Sequence, residues 1–296
     1  MASSRTSPLT MTTPANLSRG LVRRRARSLA GEFLAAACAG LAAVILLIIL
    51  GYVVQQGGAS ISLAFLTALP RPVGIEGGGV ANGIVGSLIM VGIAVVIAAP
   101  VGILTGIHLA LFGRGPLAEF VRFSADVLSG VPSIAIGLFA YTLLVAPFKH
   151  FSAISASFAF AVLMMPLIIR TSEESMRQLP DAVREGALAL GLSFYTATVH
   201  IMLPAARAGI ITGLLLAIAR ITGETAPLLF TAFGSQFWEL NPGNPMAELS
   251  LQVFTYAISP YQDWHRQAWA GALLLILAVF VLNVIARIAF RPSRGR

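Results

Sequence analysis

Six long apolar runs constrain this chain more than any other feature of its sequence. They cover about residues 29–54, 80–112, 118–147, 152–172, 205–233 and 267–290. About 20 apolar residues carry a helix across a bilayer core. In lipid every backbone polar group needs a partner within the protein, and helices meet that demand segment by segment. The composition agrees: 57% of the residues are hydrophobic and 11% charged, against about 25% charged in a soluble domain. The mean hydropathy is +0.84. The expected fold class is therefore an all-α polytopic membrane protein. A domain of six transmembrane helices covers 29–290, between an Arg-rich tail at 1–28 and a short tail at 291–296.

The first run is too long for a signal peptide, whose apolar core holds about 7–15 residues. A lipobox around Cys38 fails because the run continues to Val54. With one cysteine, no intrachain disulfide forms. Six spans put both termini on one side. If the tails are inside, the inner segments hold sixteen basic residues and the outer ones only Arg71, Lys149 and Arg266. That bias makes both termini cytoplasmic. The net charge of +8 is thus a matter of topology, and no nucleic-acid partner is expected. The polar tail 1–28 is expected to be mostly unstructured, with at most a short interfacial helix.

Other functions are excluded by residue type. Lys149 is the sole lysine and stands between Phe148 and His150, so no Walker A loop exists. His108, His150, His200 and His265 are scattered, and neither HExxH nor CxxC occurs. No metal or cofactor of the chain's own is expected. No internal repeat is visible. Pro100, Pro132, Pro166 and Pro227 fall inside spans. They fit kinked helices around a pathway, and equally the ordinary tolerance of proline in membrane helices. The two outer loops, 55–79 and 234–266, read as docking surfaces or as plain connectors.

Residues 173–204 form an inner loop with structured composition. Pro180 followed by Asp181 reads as a helix start, because acidic side chains complement the positive helix end. Ala182–Leu190 is amphipathic, and Gly191 reads as the stop. Such a helix lies either on lipid headgroups or in the groove of a partner protein. Its acidic and small residues favour the protein groove.

Arg220 lies about 16 residues beyond Pro204, roughly 24 Å along a helix. An Arg at that depth costs at least about 2.5–3.5 kcal/mol, so it is expected to face the protein interior. Glu224 is one turn on, within reach for an intrahelical pair. Gly223 and Pro227 flank them as a hinge, since Pro227 has no N–H to offer the Gly223 carbonyl. One reading is a static salt bridge. The other is that Arg220 meets an anion in a pathway and Glu224 orients it, because a guanidinium donates two parallel bonds to an oxyanion. Arg170 is a second candidate for the pathway, or a snorkelling anchor. Asp126 reads as a helix-start carboxylate.

Glu185-Gly186-Ala187, three residues, Gly191, nine residues, then Ile201-Met202-Leu203-Pro204 resembles the EAA loop of binding-protein-dependent ABC importer permeases. The resemblance implies a MetI-like fold with a cytoplasmic coupling helix on an ATPase subunit, with Asp181, Arg184, Glu185, Gly186, Ala187 and Gly191 at the contact. Gly186 departs from the usual alanine, which costs about 1 kcal/mol of helix stability. The strings EGGGVANGIVGS (76–87), VPSIAIGLFAYTLLV (131–145), MPLIIRTSEESMRQLP (165–180), AIARITGETAPLLFTAFGSQFW (217–238) and LNVIARI (282–288) resemble one branch, the phosphate-specific PstA-type permeases.

That resemblance implies a subunit of an ATP-driven phosphate importer in a bacterial inner membrane, working by alternating access and performing no bond chemistry. Its implied partners are a related second permease, two ATPase subunits that bind ATP and Mg, an extracytoplasmic phosphate-binding protein, and lipid. Arg220, Glu224 and Arg170 become the implied anion pathway. The rival readings are a permease for sulfate or molybdate, a secondary transporter, and an occupancy-sensing scaffold.

Overall fold

The computed structural model describes residues 14–289 apart from Gly74 and Glu76, and every regular element among them is helical. Residues 1–13 and 290–296 lie outside the described residues, and with them the first part of the expected tail 1–28 and the whole of the expected tail 291–296. The chain divides between Tyr52 and Val53 into two compact units. Helix α1 (Pro14–Gly57) starts within the segment expected to be a tail. Taken by itself, the first unit buries none of its apolar window, and Phe33, Leu41, Leu47 and Ile48 are exposed. Apolar side chains left in contact with lipid are what a spanning helix presents.

The second unit continues through a single turn at Gly58–Ser60 and α2 (Leu63–Thr67). Then come α3 (Ala81–Phe112), α4 (Pro116–Gly130) and α5 (Ser133–Ala140). A wide π turn at Tyr141–Val145 leads to α6 (Ala146–Phe148). They are followed by α7 (Ala153–Arg177), α8 (Asp181–Ala189) and α9 (Phe194–Ala197). A second wide turn, Thr198–Met202, opens α10 (Leu203–Ile221). The last elements among the described residues are α11 (Leu228–Thr231), α12 (Leu249–Ala257) and α13 (Gln262–Ala289).

Helix α7 is the hub, with 61% of its apolar window buried. Ala156, Ala159, Phe160, Ala161, Met164 and Ile168 of α7 meet Met90, Ala94 and Ala98 of α3 in one cluster. Lipid tails are as apolar as leucine, so membrane helices associate through close packing of small residues. Gly106 of α3 shows how close: a Cβ there would stand 2.6 Å from the Ile169 carbonyl oxygen.

Among the described residues, five helices are long and apolar enough to cross a membrane, and a sixth crossing is made if α4 and α5–α6 count as one. That pair is bent by 105°, so the expected run 118–147 is no straight span. Pro132 explains the bend: it donates no N–H and drives Val131 out of the helical region, to φ −69°, ψ 130°. Pro100 and Pro166, by contrast, sit inside continuous helices. The segment 234–266 is more than a connector. It holds α12 and a buried stretch from Met246 to Leu251.

Candidate functional site

The segment 173–204 folds as its residues suggest. Pro180 is extended (φ −58°, ψ 138°) and Asp181 opens α8. The helix stops at Gly191, whose φ of +79° is open to glycine and costly for other residues. Asp181, Arg184, Glu185 and Gly186 are exposed, while Ala187 turns inward and is buried. Beyond the helix, Leu190 is 81% exposed and Tyr195 is exposed as well. The Arg184 guanidinium lies 5.7 Å over the Phe194 ring, which fixes α8 against α9. A short, fixed helix with acidic, small and apolar groups facing outward suits a protein groove better than an anionic lipid surface.

The charge inside the fifth run is placed differently from the expectation. Helix α10 ends at Ile221, and residues 222–227 are irregular before α11. Glu224 therefore does not stand on Arg220's helix face. No ion pair joins the two among the described residues, so the expected intrahelical pair is absent. The break precedes Pro227 because that residue has no N–H and Gly223 is a poor helix former. Thr222 Oγ1 takes the Ile218 carbonyl at 2.8 Å, and Glu224 N–H takes Ile221 O at 3.0 Å.

Depth follows from register. A Cβ on Gly209 would meet Ser175, and one on Gly213 would meet Thr171, so α10 runs antiparallel to α7. Continued seven residues, that register sets Arg220 level with Met164, near the middle of α7. Arg220 is exposed on this chain, and its side chain makes no hydrogen bond or ion pair within it among the described residues. A charge and a stretch of irregular backbone at such depth need protein or a wet cavity around them. On the way from α8 a groove of about 410 Å³ runs between α7 and α10. Its polar lining is Thr171, Glu174, Ser175, Gln178 and Thr212, and it reaches Leu216, one turn short of Arg220.

Arg170 is held by Asp126. Asp126 sits well inside α4, not at a helix start. A second, charge-reversed pair stands beside it: Arg122 Nε donates to Glu173 Oε1 at 2.7 Å. Arg122 also donates to the Leu109 and Gly113 carbonyls at the end of α3, each at 3.0 Å. Arg177 adds a second contact to Glu173 at 2.9 Å. These residues clamp α3 and α4 to the end of α7, one turn before α8.

A buried polar network escaped the sequence reading. Glu248 is 1% exposed. It lies 2.9 Å from Ser87 Oγ of α3, 2.6 Å from Ser250 Oγ and 2.9 Å from the Leu251 N–H. Ser250 Oγ lies 3.1 Å from both the Glu224 carbonyl and Thr225 Oγ1. The turn after Arg220 is thus tied to α3 and α12. Burial pushes the Glu248 carboxyl above its ordinary value, with the hydrogen bonds from Ser250, Leu251 and Ser87 opposing. A glutamate within the apolar stretch at 246–251, just before a helix, was the available signal.

The family described as binding-protein-dependent transport system inner membrane component matches residues 98–292. The chain belongs to this family. A relative from Yersinia pestis called phosphate transport system permease protein PstA is 46% identical over 242 residues, covering 81% of this chain and 82% of its own. The protein of the same name from Pasteurella multocida is 43% identical, covering 84% and 88%. In Mycobacterium tuberculosis, phosphate transport system permease protein PstA 1 is 38% identical over 224 residues, covering 74% of this chain and 73% of its own. Among solved structures, the inward-facing MetNI methionine ABC transporter aligns with a TM-score of 0.58 at 16% identity, covering 72% of this chain and 93% of that one. That likeness establishes the MetI-like permease fold. The chain is a membrane-embedded transport component.

Proposed function

We propose that this chain is the permease subunit of an ATP-driven, binding-protein-dependent importer of inorganic phosphate, forming half of an alternating-access pathway. The observation that carries the mechanism is Arg220: exposed, unpaired within the described chain, and level with the middle of the hub helix. A guanidinium in a water-poor site binds an oxyanion through paired charge-assisted bonds. The relatives' names supply phosphate as the oxyanion. Glu224 and Arg170 are the other candidates along the path. Arg170 acts from its pair with Asp126, and Gly223 and Pro227 let the turn move.

In this reading a related second permease covers the Arg220 face. Of the two ATPase subunits, which hold ATP and Mg, one seats on α8 through Asp181, Arg184, Glu185 and Gly186. Ala187 packs that helix inward, and Gly191 ends it. An extracytoplasmic binding protein delivers the anion, and both termini are cytoplasmic in a bacterial inner membrane. ATP favours one of two global states and so drives the switch.

The test is labelled-phosphate uptake in cells whose sole copy of this subunit is the original or Arg220→Gln, at matched membrane levels. The original restores sulfate-insensitive, ATP-dependent uptake. The variant loses it by about 100-fold or more, as for a charge-assisted contact that serves the moving anion. Equal transport by both places the pathway elsewhere, and rescue of sulfate or molybdate uptake instead replaces the substrate.

A further inference from the structure

The hydrogen-bond geometry around Glu248 favours one protonation state over the other. Leu249 N–H donates to Ser87 Oγ at 3.0 Å, so the Ser87 proton is free for Glu248 Oε1 at 2.9 Å. Leu251 N–H donates to Oε2 at 2.9 Å. Ser250 has a single hydroxyl proton and faces two acceptors, Glu248 Oε2 at 2.6 Å and the Glu224 carbonyl at 3.1 Å. Thr225 Oγ1 donates to Ser250.

If Glu248 is a carboxylate, the Ser250 proton goes to it. The Glu224 carbonyl then faces oxygen lone pairs, and no other donor reaches it among the described residues. If Glu248 is a neutral acid, its own proton goes to Ser250, and Ser250 donates on to Glu224. Every contact then has one hydrogen. Neutrality also suits the surroundings. No Arg, Lys or His pairs with Glu248 among the described residues. The face of α3 presents Ser87 and no ionisable group to it, and the titratable neighbours are Tyr256 in the adjoining cavity and Glu224 on the turn. A buried carboxyl kept neutral so that it can donate is an established device, and burial here acts in that direction.

We propose that Glu248 is a positioning residue that works as a neutral carboxylic acid, its proton setting the direction of a hydroxyl relay, Glu248 to Ser250 to the Glu224 carbonyl, that holds the turn following Arg220. This rests on the reading of Arg220 as the anion's contact. A helix cap alone would need only the Leu251 contact, whereas the relay needs the donor and Ser250.

The experiment compares the assembled transporter carrying the original chain, Glu248→Gln, Glu248→Ala, Ser250→Ala or Arg220→Gln, by phosphate uptake and by infrared difference spectra. The original shows at neutral pH a carbonyl band of a protonated carboxylic acid that Glu248→Gln lacks. The amide of Glu248→Gln still donates to Ser250, so uptake stays within about threefold of the original. Glu248→Ala and Ser250→Ala each lose about tenfold or more at matched membrane levels. Ser250→Ala leaves the cap at Leu251 intact, so its loss reads the relay and not the fold of α12. Absence of the acid band overturns the proposal. So does full uptake by Ser250→Ala, or a Glu248→Gln as inactive as Glu248→Ala. Full uptake by Arg220→Gln overturns the pathway reading instead, and the infrared band still reports Glu248 by itself.

Discussion

Glu173 Oε1 takes both Arg122 and Arg177, while its Oε2 is buried with no partner among the described residues. The two guanidiniums differ in burial. The Arg122 side chain is 20% exposed and that of Arg177 is 52% exposed. Water screens the second contact strongly, so the first is worth more. Arg122 also closes two carbonyls at the end of α3. Removing it leaves a buried carboxylate with one screened partner and two carbonyls short of a donor. Arg122→Ala should therefore cost about 3 kcal/mol, the scale for breaking a buried pair. Arg177→Ala should cost about 1 kcal/mol or less. Thermal unfolding of the detergent-purified complex, followed by loss of its monodisperse peak, checks the order. Equal shifts would show that Glu173 draws on both partners alike.

At the scale of elements, α8 isolates two glycines with opposite roles. Gly186 is helical, and a Cβ there meets nothing within 4 Å. Gly191 holds φ +79° at the helix stop. Gly186→Ala should stabilise α8 by about 0.5–1 kcal/mol, and Gly191→Ala should weaken its end by about 1 kcal/mol. Slower hydrogen exchange across 182–190 in the first variant, and faster exchange in the second, is the readout. Helix α8 was legible because start, face and stop are local signals within a dozen residues. The six runs were legible because hydropathy sums over twenty. The breaks were legible only in part: Gly223 and Pro227 read as a hinge, but the sharp bend at Pro132 did not stand out. Pro132 and Pro227 stand at interruptions while Pro100 and Pro166 stand in continuous helix, and no local pattern separates the two kinds. What fixes the turn before Pro227 is tertiary: Gly137 of α5 packs so closely that a Cβ would stand 2.5 Å from Pro227 Cα. Ser250, far along the chain, holds the Glu224 carbonyl. Arg220 was found by its depth in an apolar run, yet its partner was misread, because Glu224 counts as one turn away only if the helix continues.

At the scale of the whole molecule, the sidedness set by the basic residues makes a claim that single positions can test. Arg122, Arg170 and Arg177 gather at the α8 end of the bundle. Glu239 and α12 belong to the segment between α11 and α13, where burial of Met246–Leu251 leaves Leu240 exposed. If the positive-inside bias sets orientation, Leu190 faces the cytoplasm and Leu240 the outside. Cys38 is replaced by serine first, since it is the sole cysteine and exposed on α1. In that background a membrane-impermeant maleimide should label Leu240→Cys in intact spheroplasts and Leu190→Cys only in inverted vesicles. Co-expression of the ATPase subunits should then suppress labelling at Leu190→Cys by about tenfold or more, as burial in a protein groove demands, and leave Leu240→Cys unchanged. Labelling of both positions from the same side would break the six-crossing topology. Unchanged labelling of Leu190→Cys beside assembled ATPase would return α8 to the lipid surface.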